Sequence, residues 1–150
     1  MSPYIAQAGF MGIARMPFIQ IDWHLITALV ERWRPETHTF HMPSGEVTVT
    51  LQDVEVQLGL RVDGLPLHGS TDQEWKDICQ ELLGIRPTAA GHGRGGRINL
   101  GWMCSHVSDR MPDDADDNLI IRTTRAYLLA VLGGTIFPDK SGYLVHLMFL

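Results

Sequence analysis

The chain has 150 residues, 45% of them hydrophobic and 19% charged, with 17 acidic and 12 basic residues for a formal net charge of -5. This composition excludes a disordered chain, and the acidic balance offers no broad attraction to nucleic acid or anionic lipid. A domain of this length hides roughly 70% of its unfolded surface, so a core can form without disulfides or metals. Cys79 and Cys104 make neither a disulfide framework nor a zinc signature, which points to a reducing compartment. Residues Met1 to Gly12 lack the basic n-region and apolar stretch of a signal peptide. No apolar run approaches the roughly 20 residues of a membrane span; the longest, Ala126 to Leu132, meets Gly133 and Gly134.

From Ile19 to Trp33, apolar residues at Trp23, Ile26, Leu29 or Val30, and Trp33 recur every three to four positions. That spacing predicts an amphipathic helix with Asp22 as N-cap, Pro35 as its stop and two tryptophans on or near a buried stripe. The period then changes. Thr39, His41, Thr48 and Thr50 alternate with Phe40, Met42, Val47 and Val49 around Pro43-Ser44-Gly45-Glu46, which reads as a short β-hairpin. Thr50 caps a further helix, with Asp53 at its third position, Leu51, Val54 and Leu58 on one face and Gly59 at its end.

Ser70 or Thr71 opens the next helix, with Trp75, Ile78 and Leu82 on one stripe and Gly84 as the stop. Arg86 to Arg97 differs in kind, because glycine, alanine and proline separate Arg86, His92, Arg94 and Arg97 without any hydrophobic period. It reads as a flexible basic loop. Helical spacing returns at Leu100, Met103 and Val107, stops at Pro112, and resumes from Asn118 to Leu132. Asp113, Asp114, Asp116 and Asp117 precede that last helix, where the dipole favours negative charge. The final residues, Leu147-Met148-Phe149-Leu150, suggest an apolar end exposed unless a larger domain continues beyond them. The core is expected from Trp23, Leu29, Trp33, Phe40, Val54, Leu58, Trp75, Ile78, Leu82, Tyr127, Leu128 and Val131.

Catalytic patterns are missing from this sequence. The Gly91-His92-Gly93-Arg94-Gly95-Gly96-Arg97 stretch has glycine amides and arginines that suit an anion, but no lysine-serine or lysine-threonine ending and no predicted strand leading into it. It stands as a candidate anion or nucleic-acid contact through Arg86, His92, Arg94 and Arg97, with a linker as the blander reading. His38 and His41, three apart on an expected strand, point to opposite faces. Cys104 and His106 lack the second pair a tetrahedral site needs. The aspartates before the last helix lack the glycine and distal glutamate of a calcium loop. Neither cysteine lies in a nucleophile signature, and the two lysines, Lys76 and Lys140, adjoin no phosphate site that pyridoxal phosphate would need. The four tryptophans could stack bases, but helix stripes normally face a core. No cofactor, metal or catalytic residue is assigned.

A distinctive run extends from Leu25 through Glu31-Arg32-Trp33-Arg34-Pro35 to His41, followed by Pro43, Gly45-Glu46 and Thr50-Leu51-Gln52-Asp53-Val54. It resembles the plant mobile domain family, also called aminotransferase-like plant mobile domain, which includes maintenance-of-meristems proteins. Leu58-Gly59-Leu60, Val62-Asp63-Gly64, Arg125-Ala126-Tyr127-Leu128-Leu129 and Phe137-Pro138-Asp139-Lys140-Ser141-Gly142 continue the resemblance in order, from about Gly9 to Leu147.

The resemblance implies a mainly helical domain with a small β-hairpin at residues 37–50, here a single region over 1–150. It also implies the N-terminal part of a larger domain, incomplete at its C-terminus. By family, the expected setting is the nucleus, in transposon silencing, genome stability and meristem maintenance. The expected role is a non-enzymatic interaction module, with protein partners that include a type 7 plant serine/threonine phosphatase-like protein. Ser108-Asp109-Arg110 lacks the glycine and second aspartate of a metallophosphatase block, so the chain itself does not read as a phosphatase. Nucleic-acid binding through residues 86–97, or a non-functional transposon-derived fragment, are the alternative readings.

Overall fold

The computed structural model describes residues 2–16, 20–66, 73–88, 92–93, 95–107, 112, 114–138 and 143–150. Two units divide the chain: Met1–Ala8 with Leu65–Leu150, and Gly9–Gly64. The first contains α1 (Ser2–Gln7), and the second contains everything from α2 (Met11–Ala14) to α4 (Leu51–Leu58).

In the Gly9–Gly64 unit, α3 (Trp23–Arg32) starts at Asp22, whose Oδ1 accepts from the amides of His24 at 2.9 Å and Leu25 at 3.3 Å. Those bonds satisfy two of the amides that a helix start leaves without intrahelical partners. The helix ends where Trp33 turns extended, and it cannot resume because Arg34, the residue before Pro35, is disfavoured in the helical region. The extended pair Trp33–Arg34 becomes β1, an edge strand with no sequence period of its own. It pairs antiparallel with β2 (Thr39–Met42), setting Trp33 opposite Phe40. β2 pairs with β3 (Gly45–Val47), with Phe40 opposite Val47 and His41 opposite Glu46. The expected hairpin therefore forms, with β1 as an unforeseen third strand.

His38 is not in the strand where it was expected. It occupies the turn before β2 at φ 54°, and its carbonyl accepts from Thr48 Oγ1 at 2.9 Å. The capping of α4 follows expectation: Thr50 Oγ1 accepts from the Asp53 amide at 3.2 Å, and Asp53 Oδ2 accepts from the Thr50 amide at 2.8 Å. Gly59 closes the helix at φ 68°, a left-handed conformation open to glycine. A Cβ at Gly12 would overlap the Leu58 carbonyl, so α2 can lie against the end of α4 only with glycine there.

The other unit follows a different packing rule. Its later elements are α5 (Trp75–Leu82), β4 (His92–Gly93), β5 (Arg97–Asn99), α6 (Leu100–His106) and α7 (Asp117–Val131). A π-helical turn at Leu132–Ile136, β6 (Leu144–His146) and a 3-10 turn at Leu147–Phe149 complete it. Sheet order is β4-β5-β6, antiparallel throughout, with Ile98 opposite both His92 and Val145. The core gathers Trp75, Cys79 and Leu83 with Ile98, Met103, Ala126, Leu129, Val145 and Leu147.

Several expectations are corrected here. The expected caps Ser70 and Thr71 lie outside the described residues, and α5 begins at Trp75 with no side-chain bond from Glu74. Its buried face is Trp75, Cys79 and Leu83, one residue on from the expected Ile78 and Leu82. On α7, Ala126 and Leu129 are buried, while Tyr127, Leu128 and Val131 are half-buried. The basic stretch is not only a loop, because β4 lies within it and β5 begins at its last residue, Arg97. Gly95 and Gly96 take φ 70° and 71° between the paired residues Gly93 and Arg97, a backbone only glycine adopts without strain. A Cβ at Gly96 would also strike the Trp75 ring.

The expected exposure of the last residues is likewise corrected. Leu147 is fully buried, its amide donates to the Gly96 carbonyl at 2.8 Å, and Met148, Phe149 and Leu150 pack on the core. The aspartates before α7 act as anticipated: Asp116 accepts from the Leu119 amide at 2.8 Å, and Asp117 is in the first turn. Asp113 lies outside the described residues. The continuous helix over 117–136 is apolar and long enough to cross a membrane, which the run of apolar residues alone did not show. Core helices reach the same length and apolarity, and its Thr124, Ala126 and Leu129 are buried in this unit.

Candidate interaction site

The most distinctive surface of the molecule is on α3. Apolar side chains at Trp23, Leu25, Ile26, Leu29 and Val30 occupy one arc of the helix, yet no residue of α3 is buried. Trp23 is 70% exposed and Val30 67%. The sheet supplies a partial floor: Trp33 packs edge-to-face on Phe40 with ring centroids 4.9 Å apart, and the His38 ring lies 6.2 Å from Trp33. Between helix and sheet runs a groove of about 350 Å³ lined by Ile26, Leu29, Val30, Trp33 and Phe40. Every lining side chain is apolar.

Polar ground lies at the Trp33 end of the groove. A hollow of about 400 Å³ beside Trp33 is lined by Glu31, Arg32, Arg34, Pro35, Glu36 and His41. Another of about 380 Å³ lies at the start of α3, against Ile21, Asp22, Trp23 and His24. Alternation along the sheet explains the sorting. Trp33, Phe40 and Val47 share a face by register, and Arg34, Thr39, His41 and Glu46 share the other. An apolar groove with a polar rim is the anatomy of a protein contact surface.

The residues singled out in sequence as an anion contact are not gathered into one cradle among the described residues. Arg86 is paired with Asp77 at 2.6 Å, which neutralises it. Arg97 is exposed on β5, opposite His146. Only the backbone of His92 is described, in β4, and Arg94 lies outside the described residues. Of the glycines that suggested a phosphate loop, Gly93 belongs to β4, Gly95 and Gly96 form a turn with Gly96 against Trp75, and Gly91 lies outside the described residues.

Reactive groups elsewhere are tied into the fold. Burial pushes the Cys79 thiol up to about 11, so it stays protonated at neutral pH and acts as a core group. Ser105 and His106 lie 3.0 Å apart, but both are also within 2.8 Å of the Trp102 carbonyl in the last turn of α6. His106 further stacks on Trp102 at 4.1 Å. Among the described residues, no three His, Cys, Asp or Glu side chains are grouped as metal ligands.

Sequence reading assigned Leu29, Trp33 and Phe40 of the groove to a core and placed Ile26 and Val30 on the same helix stripe. The same stripe is the signal in either case, since periodicity marks a face and does not say what covers it.

A model of the plant mobile domain matches residues 9–150. The chain belongs to the plant mobile domain family. It is 48% identical over 146 residues to the Arabidopsis thaliana protein named serine/threonine-protein phosphatase 7 long form homolog, covering 97% of the chain and 11% of that relative. It is 44% identical over 146 residues to MAIN-LIKE 2, with 97% and 22% covered. It is also 41% identical over 139 residues to MAINTENANCE OF MERISTEMS, with 91% and 28% covered; both are from Arabidopsis thaliana. The chain thus spans under a third of the length of these curated relatives. No solved structure matches it. Within this plant mobile domain, the block from Leu25 to His41 that carries the resemblance is the α3–β1–β2 segment that builds the groove.

Proposed function

We propose that this plant mobile domain is a non-enzymatic protein-interaction module that works in the nucleus, in transposon silencing and meristem maintenance. The groove of Ile26, Leu29, Val30, Trp33 and Phe40 carries the reading, because an apolar surface of this kind on a soluble domain marks a contact site. One relative is named for the maintenance of meristems and another for a type 7 phosphatase long form. The first name supports a part in meristem maintenance, and the second suggests a phosphatase-like protein among the partners. Direct nucleic-acid binding is the weaker reading, since Arg86 is already neutralised by Asp77.

The test is photo-crosslinking in plant nuclei, with a photoreactive residue at position 30 in the groove or at position 97 on the other unit. Protein adducts are expected at position 30 at several times the yield at position 97. Equal yields, or turnover of a hydrolase substrate by the purified chain, would overturn the reading.

A further inference from the structure

Two arginines of α7 converge on the end of α5. Arg122 and Arg125 stand three residues apart on α7, so they are neighbours on one side of the helix. Arg125 Nη1 donates to the Leu82 carbonyl at 3.4 Å. Arg122 lies along Gly84, where a Cβ would come within 3.2 Å of its Cδ and Nη1. The last carbonyls of α5 have no intrahelical partners, and the helix dipole draws cations to that end. Both guanidiniums are thereby gathered over the short stretch from Leu82 to Gly84.

That placement leaves their charge without a counter-ion. Both side chains are exposed, and neither forms an ion pair among the described residues. Arg86, two residues beyond Gly84, differs in this respect, because Asp77 neutralises it. Each guanidinium is a planar fork of N–H donors, and the bond to Leu82 occupies one donor of Arg125. Two such forks side by side repel, and an anion that bridges them reverses the sign of the interaction. Because α5 already steadies both side chains, they lose less freedom on binding than loose surface arginines would.

Charge selects the ligand. A carboxylate would neutralise one guanidinium, whereas a phosphate monoester carries about two negative charges near neutral pH and has oxygens enough to accept from both forks. A nucleic-acid strand is disfavoured. Its neighbouring phosphates would be repelled by Glu81 on α5, by Asp116 and Asp117 at the start of α7, and by the net charge of -5. We infer that Arg122 and Arg125 form a site for a single phosphoryl group carried on a protein side chain, a phosphoserine or phosphothreonine. The site belongs to the unit of residues 65–150 and is independent of the α3 groove.

Titration of the full chain with a capped glycine-phosphoserine-glycine peptide, read at the arginine Nε–H resonances by NMR, tests it. Saturable shifts are expected at Arg122 and Arg125 and not at the exposed Arg32 and Arg34. Arg122→Gln and Arg125→Gln should each weaken binding by about tenfold, the worth of one charge-assisted hydrogen bond. Both positions are exposed, so circular dichroism should stay unchanged. Arg122→Lys, which keeps the charge and loses the fork, should recover only part of that loss. No shift, equal shifts at every exposed arginine, or binding indifferent to both glutamine variants overturns the inference. Equal affinity for a capped glycine-aspartate-glycine peptide also overturns it and assigns an acidic segment. Tighter binding of a short oligothymidylate at equal phosphate concentration overturns it in favour of nucleic acid.

Discussion

The two units use the same local devices to opposite ends. Each has a three-stranded antiparallel sheet and helices started by a side-chain cap, Asp22 and Thr50 in one and Asn99 and Asp116 in the other. In the unit of residues 65–150 the apolar faces close on one another around Ile98, Met103 and Leu129. In the unit of residues 9–64 Ile13 is the only buried residue among those described, and no residue of α3 or α4 is fully buried. Capping and turn chemistry therefore determine where an element begins and ends, while burial depends on what else is present to meet it.

The largest expected effect would break the comparison outright. Leu129→Ala should cost about 2–5 kcal/mol in urea unfolding, while Val30→Ala, on an equally apolar helix, should change stability by less than about 0.5 kcal/mol. Similar losses at both positions would mean that α3 is covered in solution. Next in size, Gly133→Ala should cost about 1–3 kcal/mol, because a Cβ there would overlap Val145 in the core.

Cap removal sharpens the contrast. Asp22→Ala and Asp116→Ala should each cost about 1 kcal/mol, read by thermal unfolding, since capping is local and indifferent to the core. A much larger loss at Asp116 would show that α7's start is coupled to packing.

The smallest effect is one of pH. Hydrogen bonds from the Thr50 side chain and then its backbone amide hold the Asp53 carboxyl below the ordinary value of 3.8. A depressed acid contributes stability above its unfolded value and loses it as pH falls through its folded one. The amide resonances of α4 should therefore shift only below about pH 4, and Asp53→Ala should abolish that transition.

What was legible in sequence follows the same division. Asp22, the Thr50–Asp53 box, Gly59 and Asp116 were readable because each acts on atoms within a few residues of itself. The strands β1, β4, β5 and β6 were not, since two or three residues cannot display a period, and their pairing brings together residues as distant as Ile98 and Val145. The face of α5 was misjudged by one residue, a rotation of about 100° on a helix of 3.6 residues per turn. That was enough to exchange Ile78 for Cys79. The groove's residues were found and its role was not, because whether a stripe is covered is a property of the whole chain.

The placement of α1 bears on how the molecule is made. Ile5 is buried and α1 packs on α7, although residues 9–64 form another unit and α7 begins at Asp117. That contact closes one of the longest loops in the chain and incurs the corresponding loop-closure entropy. Such distant contacts form late when topology limits the rate of folding. Made more than a hundred residues before α7 is complete, α1 therefore docks late, and during synthesis it waits with its apolar side uncovered until α7 exists to receive it.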